Sequence, residues 1–233
     1  MGIFDRVKTL IGEDKLNKLR ASHVAVFGCG GVGGFSVEAL VRSGVGKITV
    51  FDNDKVSETN INRQIIATTK TVGLDKVDLI KERAKEINPE VEIICKKVFY
   101  LPENADDYPL SEYDFIIDAI DTVTAKIELI TRAKSQNVPI ISSMGTGGKT
   151  DISALKITSL SKTSDCPLAR VMRRELKKRN VTDLPVVFSA EKRVGETEEE
   201  HGRHAPSSMI FVPATAGLML ADYVIKNIVG NSL

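Results

Sequence analysis

The chain has 233 residues, 42% of them hydrophobic and 27% charged, with 32 Lys+Arg against 31 Asp+Glu. That composition excludes a disordered chain, a collagen-like fibre and a disulfide scaffold. A chain of this length buries roughly three quarters of the surface its unfolded form exposes, enough for one α/β domain over residues 1–233.

The amino terminus mixes Asp5, Arg6, Glu13 and Asp14 among its apolar positions, which is no signal peptide. Short β-branched runs then alternate with segments of helical period. Strands are predicted at 23–27, 47–51, 91–95, 113–117 and 138–141, and helices at 32–43, 74–87 and 123–136. Gly44, Gly46 and Asn88-Pro89 mark the junctions. This alternation implies a Rossmann-like, doubly wound, mostly parallel sheet.

Past Gly145 the pattern changes to a glycine-rich bend, a strand at 154–157 and a cationic helix at 168–179, read as an elaboration (151–233) on the sheet of a core (1–150). The segment from Glu191 to Ser207 holds five glutamates and two of the three histidines with almost no apolar content, and reads as a solvated, mobile loop. His201 and His204 are accordingly expected to be solvated. The run from Met209 to Ile228 is long enough to span a bilayer, but Pro213, Asp222 and Lys226 interrupt it, which favours a core helix over membrane association.

The first strand runs into Gly28-Cys29-Gly30-Gly31-Val32-Gly33, a G-x-G-x-x-G between a strand and a helix. Gly28, Gly30, Gly31 and Gly33 let backbone approach phosphate oxygens, and the following helix presents its positive end to the anion. Asp52, 24 residues after Gly28, ends the next strand where a carboxylate meets ribose hydroxyls. These features alone fit an NAD-dependent reductase as well as an ATP user.

The residues beyond Asp52 separate the two. Asp54, Asn60, Arg63 and Gln64 form a polar cluster that hydride transfer does not require. On a helical turn Asn60, Arg63 and Gln64 share a face at i, i+3 and i, i+4. Lys76 opens the next helix, and Asp118 and Asp121 follow a strand at the edge where ligands of open α/β sheets bind. Two cations and a carboxylate able to hold Mg²⁺ around a nucleotide suit phosphoryl or nucleotidyl transfer, whose transition state spreads negative charge over phosphate oxygens. Each residue also has a duller reading: Asp54 and Gln64 as turn caps, Asp118 as a helix N-cap, Arg6 and Lys76 as solvated charges.

The set Arg6, Gly28-x-Gly30-Gly31-x-Gly33, Asp52, Asn60-x-x-Arg63-Gln64, Lys76 and Asp121 resembles the ThiF/MoeB-type adenylating core shared by ubiquitin-activating enzymes and their bacterial relatives. The resemblance implies a homodimer in which a carboxylate attacks the α-phosphate of ATP. Asp52 would bind ribose, Asn60, Arg63 and Lys76 the phosphates, Asp121 the Mg²⁺, and Arg6 would reach the partner's site in trans. The zinc-binding Cys-x-x-Cys pairs common in sulfur-carrier activators are absent, so no zinc site is expected. Cys29, Cys95 and Cys166 are widely spaced and fit a reducing cytoplasm.

The second half carries Lys162-Thr163-x-x-Cys166-Pro167-Leu168-Ala169, then Val186-Val187-Phe188-Ser189-x-Glu191, then Pro206-Ser207-Ser208. These stretches resemble the tRNA threonylcarbamoyladenosine dehydratase family, whose members use ATP to close the modification into a cyclic form. Ser207-Ser208 departs from the Gly-Ser expected there. Ring closure is intramolecular and demands no protein nucleophile, so Cys166 is read as a structural thiol, against the alternative of a catalytic thiolate activated by the N-terminus of the cationic helix that follows it. The other reading is an adenylyltransferase acting on the C-terminus of a sulfur-carrier or ubiquitin-like protein. Arg170, Arg173, Arg174 and Lys177 on the cationic helix are candidate tRNA contacts against the alternative of a solvated face. Phe188 and Phe211 are candidates for base stacking. A sulfur-relay protein is a further partner to consider; DNA is not.

Overall fold

The structure is a computed structural model and describes residues 2–195, 197–200 and 203–230. Its centre is a seven-stranded sheet in the order β3-β2-β1-β4-β5-β7-β6. The strands are β1 (His23–Phe27), β2 (Lys47–Phe51), β3 (Glu92–Lys96), β4 (Phe115–Asp118), β5 (Ile140–Ser143), β6 (Leu155–Ser159) and β7 (Pro185–Ser189). All neighbours run parallel except β6, which pairs antiparallel with β7 through Ile157↔Val187. The two strands from the second half thus complete the sheet of the first, as the α/β doubly wound reading expects. β1 is buried at every position because both faces of a central parallel strand are covered.

Two short helices, α1 (Asp5–Ile11) and α2 (Glu13–Ala21), lead into β1. The helices α3 (Gly33–Ser43) and α4 (Lys76–Ile87) pack apolar stripes on the core, and α5 (Val123–Ser135) connects β4 to β5. Asn88 and Pro89 follow α4, where a helix cannot continue. The cationic helix is α6 (Pro167–Lys177), which has Cys166 as N-cap and Pro167 in the first turn. Several predicted boundaries move by one or two residues: β4 starts at Phe115 rather than Tyr113, β5 at Ile140 rather than Val138, and α4 at Lys76 rather than Leu74.

The segment 191–207 is not the open loop its polarity suggests. It contains an antiparallel hairpin of β8 (Thr197–Glu200) and β9 (Arg203–Pro206), in register Thr197↔Pro206. Backbone pairing needs no apolar side chains, so a polar segment gives little sequence signal for it. His201 lies outside the described residues, and His204 falls in β9.

The last helix, α7 (Phe211–Val229), has the length and apolarity of a membrane span, yet it packs Val212, Ala216, Gly217, Leu220, Ala221 and Val224 into the core. It crosses α3 at very short range. The Ser36 hydroxyl donates to the Gly217 carbonyl at 2.9 Å, and a Cβ on Gly217 would lie 2.3 Å from the Val32 carbonyl oxygen. Only glycine permits that approach.

Candidate functional site

The sheet reverses strand order between β1 and β4, so the loops leaving their carboxyl ends diverge and open a crevice. The glycine turn leaves β1 there. Gly28 has φ +89°, and a Cβ on it would sit 2.6 Å from the Ala119 carbonyl oxygen. A Cβ on Gly33 would lie 1.8 Å from the Gly28 carbonyl oxygen. These two glycines are required by the fold itself. Gly30 and Gly31 are not: a Cβ on Gly30 would meet only Gln64 Nε2 at 3.8 Å, and one on Gly31 would press on Arg63 Cγ at 3.3 Å. No side chain caps the N-terminus of α3, which leaves that end suited to an anion.

Asp52 follows β2 and binds the glycine turn to its own loop: Oδ2 accepts from the Cys29 N–H at 2.6 Å and Oδ1 from the Asp54 N–H at 2.8 Å. Burial pushes its carboxyl up, and Lys76 together with those two N–H donors pulls it back without cancelling the rise. Cys29 is enclosed in the core, and burial followed by the Asp52 charge raises its thiol, which fits a packing role. Cys95 donates to the Val77 carbonyl at 3.2 Å. Cys166 is buried beside Gly145.

The polar cluster after Asp52 does form a helical turn, since the Asn60 carbonyl accepts from the N–H groups of both Arg63 and Gln64, at 3.1 and 2.9 Å. Its side chains divide. Asn60 is buried, with Oδ1 accepting from the Ser57 N–H at 3.2 Å in a capping box, so part of its polarity is spent on the turn. Arg63 lays its stem over Gly31, while its guanidinium donates to the Thr59 carbonyl at 2.7 Å and to Asn62 Oδ1 at 2.9 Å. Gln64 is buried beside Gly30, and its Oε1 has no hydrogen-bond partner among the described residues. Lys76, at 5% exposure, extends its ammonium to Asp54 Oδ2 at 2.8 Å. Asp54 therefore pairs with a lysine rather than capping a turn.

Across the crevice, Asp121 is exposed, with Oδ1 accepting from the Thr122 hydroxyl at 3.2 Å. Asp118 is neither a helix N-cap, a place Thr122 takes, nor open to ligand. It is fully buried and ion-paired with Lys126 at 2.9 Å. Lys126 is a residue that sequence reasoning missed; a lysine on the i, i+3, i+4 apolar stripe of a helix is the signal that marks it. Among the described residues no group of three metal-ligating side chains occurs. Mg²⁺ is commonly held by one or two carboxylates together with substrate phosphates, so a lone exposed Asp121 at the crevice mouth fits it.

Arg6 stands exposed on α1. On α6 the basic face is smaller than its composition implies. Arg173 turns inward and donates to the Thr163 carbonyl at 2.8 Å, and also to the Thr163 hydroxyl. That takes Arg173 out of the exposed set, because burying the Thr163 turn requires a donor there. Arg174 and Lys178 gather on Glu175 at 2.8 and 3.0 Å, with Arg179 at 3.6 Å. Arg170 and Lys177 remain exposed without such a partner among the described residues. Phe188 is 3% exposed inside the core and has no face to offer a base, whereas Phe211 is 57% exposed.

The departure at Ser207 falls beside the Gly145–Lys149 bend. The Ser207 carbonyl accepts from the Gly148 N–H at 2.6 Å, and the Val194 N–H donates to the Gly148 carbonyl at 2.7 Å. Buried Lys149 donates to the Ser189 carbonyl at 2.6 Å, and burial lowers its pKa.

Known proteins share this fold and sequence. The chain is 42% identical to a tRNA threonylcarbamoyladenosine dehydratase of Bacillus subtilis over 97% of this chain and 94% of that one. It is 32% identical to an adenylyltransferase and sulfurtransferase of Candida glabrata over 64% of this chain and 34% of that one. The crystal structure of Escherichia coli tRNA N6-threonylcarbamoyladenosine dehydratase in complex with ATP superimposes with a TM-score of 0.89 at 34% identity, over 98% of this chain and 94% of that chain. The ThiF family description matches residues 5–233, nearly the whole chain, so the chain belongs to the ThiF family.

Proposed function

We propose that this protein is an ATP-dependent tRNA threonylcarbamoyladenosine dehydratase that works by adenylating a carboxylate. The observation that carries the reading is the end-to-end likeness to the Bacillus subtilis dehydratase, which runs through β6, β7 and α6 as well as the nucleotide core. The alternative, activation of a protein C-terminus, draws on relatives whose likeness covers less of this chain, 64% for the Candida glabrata adenylyltransferase and sulfurtransferase.

In this reading Gly30, Gly31 and the N-terminus of α3 bind the phosphates of ATP, and Asp52 accepts from the ribose hydroxyls. Arg63, Lys76 and the Asn60 turn neutralise the charge that grows as a carboxylate oxygen attacks the α-phosphorus and pyrophosphate leaves. Lys76 exchanges Asp54 for phosphate. Asp121 holds Mg²⁺, which when bound supplies further neutralisation of the phosphate oxygens. The adenine N6 that carries the threonylcarbamoyl group then attacks the acyl carbon, gives up its proton and expels AMP, a five-membered closure helped by proximity alone.

The protein acts as one unit over its whole length, in the cytoplasm, which its three free thiols suit. It is a homodimer. Exposed Ile3, Leu10, Ile61, Met209 and Phe211 supply apolar surface for a second copy, and Arg6 reaches the partner's crevice. Arg170, Arg174 and Lys177 contact the tRNA backbone.

Exchange of labelled pyrophosphate into ATP tests the reading. It is expected only with tRNA carrying the uncyclised modification; exchange driven by a protein C-terminus instead overturns it.

A further inference from the structure

Lys126 lies one turn into α5 with no solvent exposure, at the end of a helix where a positive charge is least welcome. All three of its protons are used: it donates to Asp118 Oδ2 at 2.9 Å, to the Ile120 carbonyl at 3.1 Å and to the Ser143 carbonyl at 2.9 Å. Asp118 is equally occupied. Its Oδ2 also accepts from the Ser142 hydroxyl at 2.6 Å, and its Oδ1 from the Ile120 N–H at 3.2 Å.

A buried ion pair is a poor source of stability, since an apolar pair of the same volume often serves as well or better. What this pair does uniquely is geometric. Both polar groups of the Ile120 peptide backbone are held by its two members, and Asp121 is the next residue. Ser142 and Ser143 tie the same pair to the end of β5. On the other side, Ala119 packs against Gly28 so closely that no Cβ fits between them. The pair thus joins three things: the ends of β4 and β5, the glycine turn, and the exposed carboxylate at the crevice mouth.

We infer that Asp118 and Lys126 are positioning residues for adenylation: together they fix the peptide that presents Asp121, and so set where a metal-bound triphosphate lies against the glycine turn. The inference rests on the proposed role of Asp121. It requires that loss of the pair weaken the response to metal, with binding of bare nucleotide largely spared.

The test uses the full chain and two readouts, displacement of a fluorescent ATP analogue with and without Mg²⁺, and AMP formation on modified tRNA across a Mg²⁺ titration. Lys126→Met leaves Asp118 charged and unpaired, so the double variant Asp118→Asn/Lys126→Met, which removes both charges, accompanies it. Ser142→Ala keeps both charges and removes one hydrogen bond. The expected result is a Mg²⁺ midpoint raised roughly 10- to 100-fold in the double variant, as for other residues that orient a metal ligand, and a smaller rise in Ser142→Ala. Metal-free ATP affinity should stay near the wild-type value. A folded double variant, or Ser142→Ala, with a wild-type Mg²⁺ midpoint overturns the inference while the metal role of Asp121 stands. A wild-type chain whose ATP affinity ignores Mg²⁺ defeats that role itself and the inference with it.

Discussion

At the scale of single residues, the glycines of the nucleotide turn divide into two kinds, and that division is testable. Gly28→Ala forces a side chain into φ +89° and against the Ala119 carbonyl, costing roughly 1–3 kcal/mol in backbone strain before any ligand is considered. Gly30→Ala meets nothing closer than 3.8 Å, so its melting temperature should equal the wild type's while ATP affinity, measured by calorimetry, falls. Retained affinity would show that the phosphates do not approach Gly30. Asp121→Ala should slow AMP formation by at least about 10²-fold with ATP still bound, as expected when one stabiliser of transition-state charge is removed. Single-turnover kinetics beside nucleotide binding checks both halves. His23 reports on pH. Burial and the nearby Lys47 lower its pKa below 6.5, and the ring shares a 2.8 Å hydrogen bond with Thr49. The folded state thus favours the neutral ring, and its contribution is full above pH 6.5 and is lost as pH falls through the lowered value. The melting temperature should drop on acidification from about pH 7 to about pH 5, and His23→Gln should flatten that slope.

At the scale of elements, α6 shows what a run of charges conceals. Residues 170–179, in the helix and just past its end, offer six cations in ten residues, yet Glu175 collects three of them and Thr163 captures Arg173. Arg170→Glu with Lys177→Glu is therefore the informative pair. It should weaken tRNA binding and reduce the salt slope by about 0.7 to 0.9 for each phosphate no longer neutralised, measured by filter binding from low to moderate salt. The strands and helices of the core were legible because β-branched runs and a helical period announce them, and the G-x-G-x-x-G turn because glycine spacing has a steric reason. The 197–206 hairpin was not, since hydrogen bonds between backbones leave no mark on a polar sequence. Lys126 was obscured differently. Composition counts it as a charge, and only its place on a buried stripe shows that it faces Asp118.

At the scale of the molecule, the proposed dimer makes a demand that no single chain can satisfy. Arg6→Ala and Asp121→Ala should each be inactive alone. If Arg6 acts across the interface, mixing and re-associating them gives one complete crevice in every mixed dimer, or about a quarter of wild-type turnover. No recovery would place Arg6 in its own chain's chemistry or outside it altogether. The crossing of α7 over α3 at Gly217 has an effect beyond stability. Pro213 lies close to Gly31, the Asn62 amide donates to the Ser208 carbonyl at 2.8 Å, and Gly217 rests on Val32 where α3 begins. The final helix is thus a wall behind the glycine turn, and a shortened chain that kept every proposed phosphate-binding residue but ended before it would lose the surface that holds them in place.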